Sequence, residues 1–166
     1  VGYMEIWVRS PRVISGDHRV REVFTFRGKT RTIRSVSVRV KRLSGSSPLV
    51  LRLIRSDGKV IARGTVSASE VRLTTASDEG GARWVTLRFK SKRKLQRGRR
   101  YQLVVSTSAE ARYSAVVIRK GGYYRYDSDT YFRDGSAQWT SGSGWTGFDP
   151  GWSGPSREGD LQMFFR

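Results

Sequence analysis

The chain has 166 residues, enough for one domain with a sizeable core but not comfortably for two. It contains no cysteine, which excludes disulfides and cysteine-based zinc sites, and it has no run of about 18 apolar residues. Its formal net charge of +18 makes nucleic acid, an acidic polysaccharide or an acidic neighbouring domain a candidate partner, although basic side chains also protect exposed strands from aggregation.

The basic charge comes mainly from arginine, with 25 Arg against 7 Lys, and asparagine is absent. Few thermolabile amides and many charged side chains favour a protein from a thermophile, and a G+C-rich genome would enrich arginine in the same way. The chain begins at Val1 and shows no signal-peptide pattern. We therefore expect residues 1–166 to be a single module excised from a larger, extracellular protein.

Apolar and polar residues alternate with a period of two along most of the first 120 residues, which predicts half-buried β-strands. No window shows an apolar stripe with the helical period of 3.6 residues. The alternating runs are, in chain order, Val36/Val38/Val40, Leu49/Leu51/Leu53, Val85/Leu87/Phe89, Tyr101/Leu103/Val105, Ser114/Val116/Ile118 and Leu161/Met163/Phe165.

Turn residues separate these runs. Ser56-Asp57-Gly58-Lys59 lies between two strand-type runs and predicts a β-hairpin. Glycine-containing turns follow at Gly45, Gly80-Gly81, Gly98 and Gly121-Gly122. Eight or more short strands at regular spacing predict an all-β fold, a β-sandwich of the jelly-roll type with little or no helix.

Residues 121–160 interrupt the alternation and are rich in Gly, Ser, Asp and aromatic residues, with nine aromatics from Tyr123 to Trp152. Long loops in small domains are uncommon and tend to be functional. Charge also differs along the chain: residues 123–166 have four arginines against six acidic residues, whereas residues 1–122 carry a net +20. The aromatic segment is thus slightly acidic, and the strand-rich part is basic.

This mixture of residues suits carbohydrate binding. Flat Trp and Tyr rings pack on the C–H faces of sugar rings, while Asp, Gln and Arg hydrogen-bond the hydroxyl groups. Trp145 and Trp152 are favoured because they lie among Gly and Ser, whereas Trp139 follows an alternating stretch and is equally consistent with a strand. The candidate binding residues are Trp145, Trp152, Trp139, Tyr124, Tyr126, Tyr131, Arg133, Asp134 and Gln138.

Catalytic patterns are scarce. His18 is the only histidine and lies in a predicted loop, and the sequence has no Gly-x-Ser-x-Gly motif and no phosphate-binding glycine loop. Paired carboxylates would support glycoside hydrolysis, but few acids fall on predicted strands, chiefly Glu5 and Glu22. We therefore expect that the chain is not an enzyme.

Several segments resemble the jelly-roll accessory modules attached to extracellular glycoside hydrolases. The resemblance rests on structural motifs spread over most of the chain: Phe24-Thr25-Phe26, the run from Ile33 to Val40, the Asp57-Gly58 hairpin, Tyr101-Gln102-Leu103 and the closing run from Gly159 to Phe165. It implies carbohydrate binding as the function. It also implies a structural calcium ion near the terminal strands, for which Asp160, Asp17 and Glu5 are the candidate ligands.

The leading hypothesis is a non-catalytic polysaccharide-binding module of a multidomain extracellular glycoside hydrolase. A neutral glucan or xylan fits the acidic aromatic segment, and an acidic polymer fits the basic strands. Two alternatives remain: a docking domain that contacts an acidic partner through an arginine-rich sheet face, and a nucleic-acid-binding domain. The last is less favoured because single-strand binders combine aromatics with a positive groove, and here the two are separated in sequence. No membrane partner is expected.

Overall fold

The computed structural model describes residues 13–27, 29–74, 81–115, 117–119, 136–147, 159–161 and 163–166. Within these ranges the chain forms β-strands, a short 3-10 turn at Ala68–Glu70 and no α-helix. The strands are β1 (Val13–Ile14), β2 (Arg19–Thr25), β3 (Arg31–Ser44), β4 (Leu49–Arg55), β5 (Val60–Val66), β6 (Arg83–Leu95), β7 (Arg100–Ser106), β8 (Arg112–Ala115), β9 (Val117–Arg119), β10 (Ser136–Thr140), β11 (Thr146–Gly147), β12 (Gly159–Leu161) and β13 (Met163–Phe165).

The strands form two main antiparallel sheets. The six-stranded sheet has the order β11-β10-β2-β7-β4-β5. The five-stranded sheet has the order β1-β8-β3-β13, with β6 also paired to β3, and β9 and β12 form a small separate sheet. The predicted all-β sandwich is therefore confirmed.

The long strand β3 organises the five-stranded sheet. One edge of β3 pairs with β6, from Arg31↔Leu95 to Val40↔Arg83. The other edge is shared by two short strands, since β13 pairs at residues 36–38 and β8 pairs at residues 40–44. The two ends of β3 thus anchor different parts of the chain.

The core lies between the two sheets and takes the apolar residues of the alternating strands. Val36, Val38 and Val40 of β3 are fully buried against the leucines of β4 and β7. Phe24 connects the sheets directly, because its ring lies 5.8 Å from that of Tyr101 in its own sheet and 5.7 Å from that of Phe165 in the opposite sheet. Aromatic pairs at this separation add to the stabilisation from buried area.

Most alternating runs form the strands expected of them, and two runs are divided between two strands. In the closing run, Leu161 lies in β12 of the small sheet, whereas Met163 and Phe165 lie in β13 of the five-stranded sheet. The run Ser114/Val116/Ile118 was expected to form one strand, but β8 ends at Ala115 and β9 belongs to the small sheet. In β8 the core residues are Tyr113 and Ala115 rather than Ser114. Tyr113 accounts for the difference: its large ring occupies the core while its hydroxyl donates to the Ser47 carbonyl at 2.6 Å.

The predicted hairpin at Ser56-Asp57-Gly58-Lys59 connects β4 to β5. Gly58 has a φ of +84°, a conformation that residues with a Cβ adopt at a cost. Asp57 accepts hydrogen bonds from the Arg55 guanidinium at 2.5 to 3.0 Å and from the Lys59 N–H at 3.1 Å. The bond from Arg55, and then that from Lys59, lowers the pKa of Asp57 to about 2.

Glu22 is a carboxylate on the inner side of β2, 1% exposed. Its Oε2 accepts a hydrogen bond from the Leu161 N–H at 2.9 Å. This bond fixes β12 against the six-stranded sheet. Glu22, which the sequence offered as a rare acid on a strand, thus has a structural role in joining the two ends of the chain.

Candidate functional site

The outer side of the six-stranded sheet concentrates positive charge. In β2 the buried residues Val20, Glu22 and Phe24 alternate with outward residues, so Arg19 and Arg21 lie on the outer side. The same alternation in the other strands brings further arginines to this side. We call the set the arginine face, and it consists of Arg19, Arg21, Arg52, Arg63 and Arg100.

Arg21 is held in one orientation by two glutamines from neighbouring strands. Its Nε and Nη2 donate to Gln138 Oε1 at 2.8 and 2.5 Å, and its Nη1 donates to Gln102 Oε1 at 2.8 Å. Gln138 lies directly opposite Arg21 on β10, and Gln102 lies on β7. Three of the five N–H donors of the guanidinium are therefore used, and all three acceptor contacts are neutral.

Trp145 packs over this network. The Arg21 Cζ lies 4.2 Å from the centroid of the Trp145 ring, and the Arg19 Cζ lies 5.5 Å from it. Both distances are within the range of cation–π interactions. Trp145 remains partly exposed. Aromatic surface and directional donors thus meet at one place on the sheet.

The loop between β10 and β11 positions Trp145 by means of glycine. Gly142 and Gly144 have φ values of +115° and +89°, and the Gly142 N–H donates to Thr140 Oγ1 at 3.1 Å. Backbone in this region favours glycine over any residue with a Cβ. The Gly and Ser residues around Trp145 suggested an exposed ring. The two glycines act through their backbone conformation, which folds the loop back over β2.

The arginine face is electrostatically crowded. Burial lowers the pKa of Arg21, and the positive charges of Arg100 and Arg19 lower it further. Burial also lowers the pKa of Arg52, with added effects of Arg19 and Arg63. Guanidinium groups keep their proton in proteins, so these side chains stay charged while repelling each other.

Of the nine residues predicted to bind carbohydrate, the structure brings Trp145 and Gln138 together around Arg21. Trp139 lies on the opposite side of β10 and packs against the core, as the strand alternative for this residue implied. The other predicted residues lie outside the described part of the chain, namely Trp152, Tyr124, Tyr126, Tyr131, Arg133 and Asp134.

The predicted calcium ligands are not assembled in the described residues. Asp17 is exposed in the turn between Ser15 and His18, beside Gly142. Asp160 is paired with Ile118 through the backbone of β12, its side chain is outside the description, and so is the whole of Glu5. Among the described residues no group of three or more acidic, His or Cys side chains forms a metal site. The calcium site therefore remains a prediction. His18 is exposed in its turn, as expected.

Sequence reasoning did not include the arginines and Gln102 in the candidate site. The sequence does contain a pattern that places these arginines on one side of the sheet. Arg19 and Arg21 alternate with Val20 and Glu22, and Arg52 lies between Leu51 and Leu53. From the sequence, the arginines were considered only collectively, as the arginine-rich sheet face of the docking alternative. Their convergence depends on strand order, which brings β2, residues 19–25, beside β10, residues 136–140.

The comparisons with known proteins leave the family open. No model of a known protein family matches the chain, and no curated protein shows significant similarity to it. In the residues that the structure describes, no helix has the length and apolar character needed to span a membrane.

Proposed function

We propose that this chain is a non-catalytic polysaccharide-binding module whose binding surface is the arginine face together with Trp145. In a multidomain extracellular protein, such a module keeps an attached glycoside hydrolase close to its substrate. The observation that carries the proposal is the contact between the Trp145 ring and Arg21, with Arg21 fixed by Gln138 and Gln102.

The chemistry of this contact suits a sugar. An aromatic ring offers apolar area to the C–H face of a pyranose, and it loses little conformational entropy because it has only two side-chain torsions. The guanidinium and the two amides next to it supply fixed donors and acceptors for hydroxyl groups. A preorganised set of this kind reduces the entropic cost of binding.

The location of the site also supports the proposal. The face is built on strands of the larger sheet, which hold Arg21, Gln102 and Gln138 in register, and only Trp145 comes from a loop. Sites on regular elements keep their geometry better than sites on loops alone. A flat, open surface suits an extended polymer chain rather than a small molecule, which prefers an enclosed pocket.

Affinity electrophoresis against a panel of neutral and acidic polysaccharides tests the proposal. Trp145→Ala should weaken binding about tenfold or more, a loss typical of removing one aromatic stacking partner. Trp84→Ala removes an indole outside the arginine face and is the control for specificity, because Trp84 is 40% exposed and lies on the outer side of the other sheet. Melting curves of both variants establish that they are folded.

Two results would refute this function. One is an absence of binding to every polysaccharide tested. The other is binding that Trp145→Ala leaves unchanged. Retention of nucleic acid or of acidic proteins without any retention of polysaccharide would instead favour the alternative in which the arginine face docks an acidic partner.

A further inference from the structure

Residues of the arginine face are aligned in a row across the strands, which a surface that is merely basic would not require. Cross-strand pairing aligns Gln138, Arg21, Val104, Arg52 and Arg63 in one row over five strands. Directly paired residues project from the same side of a sheet, so the three arginines of this row lie on one line. The line runs across the strands, from the Trp145 loop towards the edge strand β5.

The row contains positive charge on both sides of Val104, in two clusters. Arg21 lies next to Trp145, and Arg52 lies directly opposite Arg63. Arg19 lies outside the row but also next to Trp145, and burial, with an added effect of the Arg19 charge, lowers the pKa of Arg52. Val104 lies between the clusters and is 2% exposed although it faces outward, which fits coverage by the aliphatic stems of the arginines on either side. Neighbouring strands are about 4.8 Å apart, so the backbones at Arg21 and Arg52, two strands apart, are separated by about 10 Å.

Neither cluster is neutralised within the described part of the chain. Arg52 and Arg63 face each other although like charges directly opposite destabilise a sheet. The outward positions of β2, β4, β5, β7 and β10, all of them described, hold no acidic residue. Arg21 is bonded only to neutral amides and keeps two N–H donors. Two cation clusters that have no counter-charge among the described residues of the sheet are suited to bind anions.

We infer that the polysaccharide is acidic and carries its carboxylates at about the spacing of one disaccharide, as in a polymer with alternating uronic acid residues. The inference rests on the proposed function and specifies its ligand. The planar guanidinium matches a carboxylate through paired hydrogen bonds. The backbone separation of about 10 Å between Arg21 and Arg52 is about the length of one extended disaccharide, with a sugar ring next to Trp145.

The same spacing argues against nucleic acid as the favoured ligand. Each strand of a nucleic acid carries a phosphate at every nucleotide, so a strand laid along the row would also place charge between the two clusters. The intervening position is occupied by Val104, an apolar residue. A sugar chain with a neutral ring between its carboxylates fits that order of charged, apolar and charged positions.

Binding measurements with three polymers test the inference: an unsulfated polysaccharide with alternating uronic acids, a neutral β-linked glucan and single-stranded DNA. The variants are Arg52→Gln with Arg63→Gln, and the matched control is Arg88→Gln with Arg112→Gln, which removes the same charge from exposed positions on β6 and β8. We expect the acidic polysaccharide to bind best. The first pair should weaken its binding about tenfold or more, and the control pair should change it only slightly.

The outcomes separate this inference from the proposed function. Binding of the neutral glucan through Trp145, unaffected by Arg52→Gln with Arg63→Gln, would overturn the acidic ligand and leave the proposed function in place. Equal losses for both arginine pairs would show that only total charge matters, which also overturns the inference. DNA binding without any polysaccharide binding would overturn both.

Discussion

The two outer faces of the sandwich each contain an aromatic ring next to an arginine, but they are built differently. On the arginine face, Trp145 comes from a loop and covers Arg21, which two glutamines hold on the sheet. On the five-stranded sheet, Trp84 and Phe164 come from strands, with ring centroids 4.8 Å apart, and Arg166 lies over Phe164 at 5.0 Å. Both rings of that pair are fixed by strands that pair with β3.

The difference indicates a division of roles. Trp84 and Phe164 join β6 and β13 across the outer side of β3, so their contact helps to hold the sheet together. Trp145 contacts long polar side chains instead, so we expect its loss to leave the strand pairing intact. The aromatic pair held by strands therefore contributes to stability, whereas Trp145, held over cations by a glycine-rich loop, is the aromatic that we propose for binding.

The largest predicted effect on stability follows from this division. Trp84→Ala should lower the free energy of unfolding by about 2 kcal/mol, since it removes an aromatic pair and a partly buried ring. Trp145→Ala should cost less than about 1 kcal/mol, the range of an exposed cation–π contact. Chemical denaturation of the two variants measures the difference.

The comparison of the two losses of stability decides whether Trp145 has a structural role. If Trp145→Ala proved as destabilising as Trp84→Ala, the loop would be part of the structural framework, and a loss of binding in that variant would reflect unfolding. A Trp145→Phe variant, which keeps an aromatic surface, then separates the two causes through its melting temperature.

A second prediction concerns the hydroxyl pair of the five-stranded sheet. Ser37 is 1% exposed, and its Oγ lies 2.7 Å from Thr86 Oγ1. Ser37→Ala should cost about 1 kcal/mol, the usual net value of an intramolecular hydrogen bond. Thr86→Val removes the other partner, and the double variant should be less destabilised than the sum of the single ones. Additive losses would mean that the two hydroxyls act independently.

The glutamines of the arginine face allow a smaller, graded test. Gln138→Leu removes two of the acceptor contacts of Arg21, and Gln102→Leu removes one. We expect losses of stability below about 1 kcal/mol, larger for Gln138→Leu, because Arg21 is partly exposed and water can replace the lost acceptors. The Arg21 Nε–H signal in NMR should exchange faster with water in Gln138→Leu. An unchanged exchange rate would show that Gln138 does not hold the guanidinium.

Sequence periodicity predicted the fold well because each strand has one face in the core. Val36, Val38 and Val40, or Leu49, Leu51 and Leu53, are buried as the alternation required. It failed at residues 113–118, where a tyrosine with a hydrogen-bonded hydroxyl occupies the core and shifts the apparent face. The alternation rule assigns the buried face of a strand from its apolar residues, and Tyr113 combines an apolar ring with a polar hydroxyl group.

The candidate site could be predicted only in part. Trp145 and Gln138 were selected from local composition, which reports on a loop and its neighbours. Arg21 and Gln102 depend on strand order, since β10 and β7 flank β2 although their residues are distant in sequence. The separation of aromatics and positive charge along the chain, which weighed against nucleic-acid binding, does not hold on the arginine face, where Trp145 contacts Arg19 and Arg21.

The smallest predicted effect tests whether the arginine face is under electrostatic strain. Arg63→Gln removes the charge opposite Arg52, whose pKa is lowered by burial and by its arginine neighbours. At low ionic strength this variant should be more stable than wild type by about 0.2–0.5 kcal/mol, the range for exposed charge pairs. At about 1 M salt, where the screening length is about 3 Å, the gain should largely vanish.

Arg112→Gln is the control on the other sheet, because every lost cation relieves some of the net charge of +18. Denaturation of both variants at low and high salt measures the excess due to the face itself. Equal gains for Arg63→Gln and Arg112→Gln would mean that the repulsion is spread over the whole molecule, and the paired arginines would then have no special strain for an acidic polymer to relieve.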